Sequence, residues 1–323
     1  MIEDWFARHT HRWQDWSLPE LRAAKGDTRV SLVVPARNEA ATVGDVVSRC
    51  REVLMETAAL VDEVVVVDSD STDATYDVAA DAGAVVHRSA EIRPDLGTRP
   101  GKGEAMWKSL FVTTGDVLVF MDADLTDWDT HFVPGLLGPL LTDPEVQLVK
   151  GFYQRPGGDA SGAVGPFEGG RVTELVARPL VALLFPPLAG LVQPLAGEWA
   201  VRRDHFAGLE VPTGYAVELA ALVDTWRARG LDAIAQVDLG RRAHHQQPLL
   251  DLGAMATQIL TTGWARSSHS HHADAIALTQ FLPAGDRPGG GGGVRPHVTR
   301  VPVDQRPPAR PHLEAGPDTG RQA

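Results

Sequence analysis

Asp122 and Asp124 stand two residues apart, directly after the apolar run Asp116-Val-Leu-Val-Phe-Met121. In an extended chain, side chains two apart leave the same face, so both carboxylates can reach one site. Two carboxylates there repel each other unless a cation lies between them, and Mg²⁺ favours one or two carboxylates completed by substrate phosphates. Asp-x-Asp at this place therefore reads as a clamp for a metal-bound diphosphate. The tripeptide also recurs in solvated turns, and its weight comes from its position behind an apolar strand. Two further polar clusters follow apolar runs in the same way: Pro35-Ala-Arg-Asn-Glu39 after Val30–Val34, and Asp68-Ser-Asp-Ser-Thr-Asp73 after Glu63–Val67. Gly97-Thr-Arg-Pro-Gly-Lys-Gly103 is not a P-loop, because only three residues separate Gly97 from Gly101 and Gly103 follows Lys102 where Ser or Thr is needed. Lys102 remains a candidate point charge for phosphate, ahead of a helix whose free amides also favour anions. A Gly-x-Gly-x-x-Gly fingerprint does not follow the first strand, and there is no Gly-x-Ser-x-Gly elbow, so nicotinamide and serine-hydrolase chemistry are disfavoured.

These clusters need a scaffold that gathers strand ends. The pattern predicts strands at Val30–Val34, Glu63–Val67, Ala84–His87 and Asp116–Met121, alternating with helices at Ala41–Met55, Thr72–Ala82 and Glu104–Thr113. Near-continuous apolar strands separated by helices indicate a doubly wound, mostly parallel α/β sheet covered on both faces, and ligands then bind beyond the carboxyl ends of the strands. The carboxyl half predicts helices over Val172–Phe185, Ala216–Arg229 and Leu252–Trp264, and a strand over Asp232–Val237. Cys50 falls on the apolar stripe Val43, Val46, Val47, Cys50, Val53, Leu54 and reads as core.

The chain has 323 residues, 43% hydrophobic and 22% charged, within ordinary globular usage. Its formal net charge of −12 argues against nucleic acid as a partner and requires local bases for any anionic ligand. The single cysteine points to a reducing, cytoplasmic compartment, and Met1–Gln14 lacks the apolar core of a signal peptide. The uncharged stretch Pro179–Gly197 contains Pro186, Pro187 and Pro194, which argues against a membrane span. The expected division is an extension over 1–29, a ligand-binding α/β domain over 30–125 and a less regular region over 126–282 that completes the site. A tail over 283–323 has 8 Pro and 8 Gly among its 41 residues and is expected to be disordered.

Taken together, Pro35–Glu39, Asp68-Ser69, Arg99-Pro-Gly-Lys-Gly-Glu104 and Asp122-Ala-Asp124 resemble the nucleotide-diphospho-sugar transferases of the GT-A fold. Leu148–Tyr153, Gly170–Pro179, Gln193–Glu198, Gly214–Glu218 and Leu231–Val237 narrow the resemblance to the actinobacterial glucosyl-3-phosphoglycerate synthases. The resemblance spans about Val30 to Trp264. It implies a retaining transfer of glucose from UDP-glucose to 3-phosphoglycerate, helped by Mg²⁺ or Mn²⁺, in a homodimer. The implied donor-binding set is Pro35, Glu39, Ser69, Lys102, Asp122, Ala123, Tyr215 and Glu218, with Asp122 and Glu218 closest to the chemistry. The implied acceptor set is Gly170, Arg171, Thr173 and Arg242, and the implied metal ligands are Asp124 and His244. Whether Glu218 acts as nucleophile, base or orienting acceptor stays open at this level. Two other readings share parts of the pattern: a GT-A transferase using GDP-mannose or a polyprenyl phosphate, and a non-catalytic nucleotide-sugar-binding protein. The sequence departs from the resemblance at His245-Gln-Gln-Pro248 and at Ala123; His269, His271 and His272 read as an exposed, non-functional cluster.

Overall fold

A computed structural model of the chain describes residues 2–154, 170–244, 249–267, 275–284 and 293–315. In chain order it begins with α1 (Ile2–His9), β1 (Thr10–Arg12) and α2 (Leu18–Lys25). Then come β2 (Val30–Ala36), α3 (Val43–Cys50), β3 (Glu63–Asp68), α4 (Thr75–Asp81), β4 (Val85–Arg88), α5 (Lys102–Ser109) and β5 (Val117–Phe120). The next elements are β6 (Leu125–Asp127), α6 (Phe132–Thr142), β7 (Leu148–Gln154), α7 (Arg178–Leu184), β8 (Trp199–Arg202), α8 (Arg203–Ala207) and β9 (Val211–Pro212). They are followed by α9 (Val217–Arg229), β10 (Ile234–Arg241), β11 (Ala243–His244), α10 (Leu249–Ala265), β12 (Ala275–Ala284), β13 (Gly293–Pro302), β14 (Gln305–Arg306) and α11 (Arg310–Ala315).

Eight strands form one sheet in the order β1-β10-β7-β8-β5-β2-β3-β4. Every neighbouring pair is parallel except those made by β8, which runs antiparallel between β5 and β7. Successive residues of a strand feed opposite faces: Leu32 and Val34 join one apolar cluster, Val33 the other. The α3 stripe Val43, Val46, Val47 and Cys50 is fully buried on the first of these faces, as its spacing predicts. Burial on both sides is why the β-branched runs read as strands at all.

Two boundaries of the expected division do not separate structural units. Residues 1–29 supply the edge strand β1 and the buried Trp5, whose indole donates to the Ile234 carbonyl. The sheet then continues through 125/126, since β5 is bonded to β8. The expectation of a disordered tail over 283–323 is corrected for its described part. β14 pairs antiparallel with β9, Ala309 is fully buried, and the Trp107 indole donates to the Pro307 carbonyl at 3.1 Å. Composition gives a segment no core of its own, but this one borrows partners from α5 and β9. Among the described residues no helix is long and apolar enough to cross a membrane.

Candidate functional site

β5, β2 and β3 are adjacent, so their carboxyl ends open on one crevice. Pro35 lies near the end of β2. Beyond the strand, the Glu39 amide donates to Thr75 Oγ1 at 2.7 Å and Asn38 Oδ1 accepts from the Thr72 amide at 2.8 Å. Those bonds lace the loop after β2 to the one after β3, where the Ser69 amide donates to the Ala36 carbonyl. Behind β5 come Asp122, the buried Ala123 and Asp124.

The centre of the site is a set of alternating charges. Lys102 Nζ lies 2.5 Å from Asp122 Oδ1 and 3.0 Å from Glu218 Oε1. Burial opposes its charge, but those two carboxylates outweigh burial and raise its pKa. Arg242 reaches Asp122 Oδ2 at 2.6 Å, Asp124 Oδ1 at 3.6 Å and the fully buried Glu198 at 3.0 Å, so one guanidinium spans both aspartates of the Asp-x-Asp pair. Its pKa is raised too, because Glu198, Tyr153, Asp122 and Asp124 together exceed the burial penalty. Gly197 packs on the Asp122 carboxylate so closely that a Cβ there would lie 2.5 Å from Cγ. Lys150, buried in the middle of β7, donates to the Ala196 carbonyl, and burial pushes its ammonium down to about 8.

A divalent cation fits the charge left over. Asp122 is held by two side-chain cations, whereas Asp124 Oδ1 is buried and accepts no hydrogen bond among the described residues. Burial first and Asp122 second raise the Asp124 pKa. Glu39 is pushed up to about 7 by burial, then by Asp124, Asp122 and Asp73. This excess of negative charge is what a bound cation relieves. The backbone places His244 on β11 opposite Leu125 of β6, one residue beyond Asp124. Among the described residues no three metal-ligating side chains form a group.

Two expectations change. Two first-turn amides of α5 are engaged with backbone: Gly103 donates to the Gly214 carbonyl at 3.2 Å and Glu104 to the Thr213 carbonyl at 2.9 Å. Lys102 accordingly faces carboxylates rather than an open phosphate cradle. Arg242, expected as an acceptor base near the metal, is buried beside Asp122, Asp124 and Glu198, on the Asp122–Asp124 side of the site.

The other expected residues lie on separate elements. Gly170 and the exposed Arg171 lead into a wide helical segment, Thr173–Ala177, which opens with the buried Thr173 and precedes α7. Tyr215 is exposed before α9, with its amide held by Gln258 Oε1 at 2.8 Å. His245–Pro248 and the cluster His269, His271, His272 lie outside the described residues. Sequence reasoning missed Glu198, Lys150 and Gly197 as parts of the site. A lysine inside the apolar run Leu148–Tyr153 is the signal that could have found one of them, since an unpaired lysine is almost never fully buried.

Residues 31–171 match the family model described as Glycosyl transferase family 2. A glucosyl-3-phosphoglycerate synthase of Mycolicibacterium smegmatis is 47% identical over 94% of this chain and 96% of its own length. The crystal structure of the Mycobacterium tuberculosis glucosyl-3-phosphoglycerate synthase with Mg²⁺ and UDP is similar with a TM-score of 0.82 at 42% identity, covering 94% of this chain and 99% of that one. The same enzyme with Mn²⁺, UDP-glucose and phosphoglyceric acid gives 0.80 at 43% identity, covering 92% and 95%.

Proposed function

The chain belongs to the glucosyl-3-phosphoglycerate synthases, from which we infer that it transfers glucose from UDP-glucose to 3-phosphoglycerate with the help of Mg²⁺ or Mn²⁺. The observation that carries this reading is the charge set Lys102, Asp122, Asp124, Glu218 and Arg242 behind β5, within a chain so similar to those enzymes along nearly all its length.

In this reading Pro35, Glu39 and Ser69 receive the uridine, with Glu39 accepting from ribose hydroxyls. Lys102 holds Asp122 and Glu218 apart and oriented, so that both carboxylates face the sugar. Asp124 and His244 hold the metal, which supplies charge neutralisation at the leaving diphosphate. Arg242 holds Asp122 in place at 2.6 Å and lies 3.6 Å from Asp124, on the side where that cation would bind. Ala123 and Tyr215 line the donor side; Gly170, Arg171 and Thr173 receive the acceptor, whose carboxylate and phosphate suit a guanidinium and a hydroxyl. The 2-hydroxyl of 3-phosphoglycerate attacks with retention at the anomeric carbon. Glu218 is buried and ion-paired with Lys102 at 3.0 Å, which fixes its orientation, and the reading takes a front-face transfer in which Glu218 orients the sugar and the leaving phosphate takes the acceptor proton. The buried single thiol accords with a cytoplasmic location. A homodimer is part of the same proposal, with the exposed Leu175 and Leu183 as the surface to examine by light scattering.

The test is product formation from UDP-glucose and 3-phosphoglycerate, with anomeric configuration read from the proton coupling constant. We expect α-linked product, loss of turnover on chelation, recovery with Mg²⁺ or Mn²⁺, and a loss of about 100-fold in Asp124→Ala. UDP binding without turnover, or product only from GDP-mannose or onto a polyprenyl phosphate, would overturn the reading.

A further inference from the structure

Residues 302–306 touch both loops that carry the Lys102–Glu218 ion pair. On one side is the 96–104 loop. Arg306 Nε and Nη2 donate to the two oxygens of the buried Glu104 at 2.9 and 2.7 Å, Nη1 to the Leu96 carbonyl at 2.6 Å, and Nη2 also to the Gly97 carbonyl at 3.1 Å. Glu104 Oε1 accepts in addition from the Arg99 amide at 3.2 Å, and Asp304 pairs with Arg99 at 2.5 Å. Both ends of the segment that contains Lys102 are thus tied to one guanidinium.

On the other side is the 211–215 loop, which leads into α9 and Glu218. Arg306 and Gln305 are in register with Val211 and Pro212, and the Thr213 amide donates to the Asp304 carbonyl at 3.3 Å. Gln258 joins the Tyr215 amide to the Pro302 carbonyl. The two loops then meet backbone to backbone. A Cβ on Gly101 would lie 2.9 Å from Gly214 Cα, and one on Gly103 would lie 3.0 Å from the Pro212 carbonyl carbon. With no slack at that contact, a shift of one loop moves the other, and with it the distance from Lys102 to Glu218.

We propose that Arg306 is a positioning residue for glucosyl transfer: by clamping the 96–104 loop onto the 211–215 loop it keeps Lys102 between Asp122 and Glu218. This rests on the transfer reaction proposed above. Four short donations in two directions need the planar guanidinium fork, which a lysine lacks.

The test is a double-mutant cycle of Arg306→Met with Lys102→Ala in the full chain, reading kcat and both KM values beneath the melting temperature of every variant. Arg306→Met is expected to lower kcat about tenfold with each KM within about threefold, and Lys102→Ala to lower kcat about 100-fold. The double variant should stay within about twofold of Lys102→Ala, because Arg306 acts through that lysine. Leu136→Ala on α6, on the other face of the sheet, should lower the melting temperature and leave kcat unchanged. If Arg306→Met does not fold, Arg306→Lys carries the cycle, with a smaller single loss of about threefold that also vanishes in the Lys102→Ala background. Losses that multiply, or a folded Arg306 variant with kcat within twofold of the parent for Met and unchanged for Lys, would overturn the proposal. A parent chain that makes no product would instead refute the transfer reading.

Discussion

Glu39 offers a quantitative handle on how the donor and its cation bind. Its carboxyl is pushed from the ordinary 4.5 up to about 7 by burial and by Asp124, Asp122 and Asp73. At pH 7 it is therefore about half protonated, at pH 6 about nine-tenths protonated and at pH 8 about nine-tenths ionised. A divalent cation beside Asp124 offsets the carboxylate share of that rise, while burial, its larger cause, remains, so binding draws off part of the proton. Two consequences follow with definite sign. Binding of UDP-glucose with Mn²⁺ releases a proton fraction of at most about one half at pH 7, and affinity rises from pH 6 to 8 by at most about tenfold, worth about 1.4 kcal/mol. In the ligand-free protein the same raised pKa makes stability fall as pH rises from 4.5 toward 7, because the unfolded chain ionises first. Calorimetric titration in two buffers of different ionisation enthalpy measures the release. The informative quantity is the difference between the parent and Glu39→Gln, which cancels protons released elsewhere in the site. A difference below about 0.1 proton at pH 7, or one that does not change between pH 6 and 8, refutes the argument that cation and Glu39 share one field.

Gly197→Ala would drive a methyl group into the Asp122 carboxylate, 2.5 Å from Cγ and 2.6 Å from Oδ1, where ordinary contact is about 3.4 Å. Displaced by about 1 Å, Asp122 loses both Lys102 and Arg242; kcat should drop about 100-fold with the near-ultraviolet circular dichroism retained, and an unchanged kcat would refute the placement. Burial pushes the Cys50 thiol up to about 12, so a disulfide reagent at pH 8 should leave the native protein unmodified and titrate one thiol after denaturation; rapid native labelling would contradict the packing of α3.

The parts of this fold that were legible in the sequence are those whose cause is local. Val64–Val67 and Leu118–Phe120 read as strands because a parallel strand buried on both faces has to be apolar throughout. Asp122 and Asp124 stood out because strand ends are where such sheets bind ligands. What escaped depends on partners far along the chain. Arg242 meets Asp122 across 120 residues and Arg306 meets Glu104 across 202, so neither pairing leaves a spacing to read. Composition misjudged residues 305–315 for the same reason: proline and glycine limit the core a segment can build, but not the partners it can find elsewhere.

That distance also changes the meaning of the acidic balance. With −12 overall, Lys102 and Arg242 were expected to serve as counter-charges for anionic substrates. They are engaged instead with Asp122, Glu218 and Glu198, and the first amides of α5 are engaged with the carbonyls of Thr213 and Gly214. Among the described residues, Lys102 and Arg242 hold carboxylates in place, while Asp124 Oδ1 accepts no hydrogen bond and meets Arg242 only at 3.6 Å, and the Asp124 and Glu39 carboxyls are both pushed up by burial and by neighbouring carboxylates. Under the transfer proposed above, positive charge for the diphosphate would then come in part from the cation that binds with it. Metal dependence in this site is therefore a matter of donor binding as much as of the transfer step, because a site already crowded with carboxylates repels a bare diphosphate.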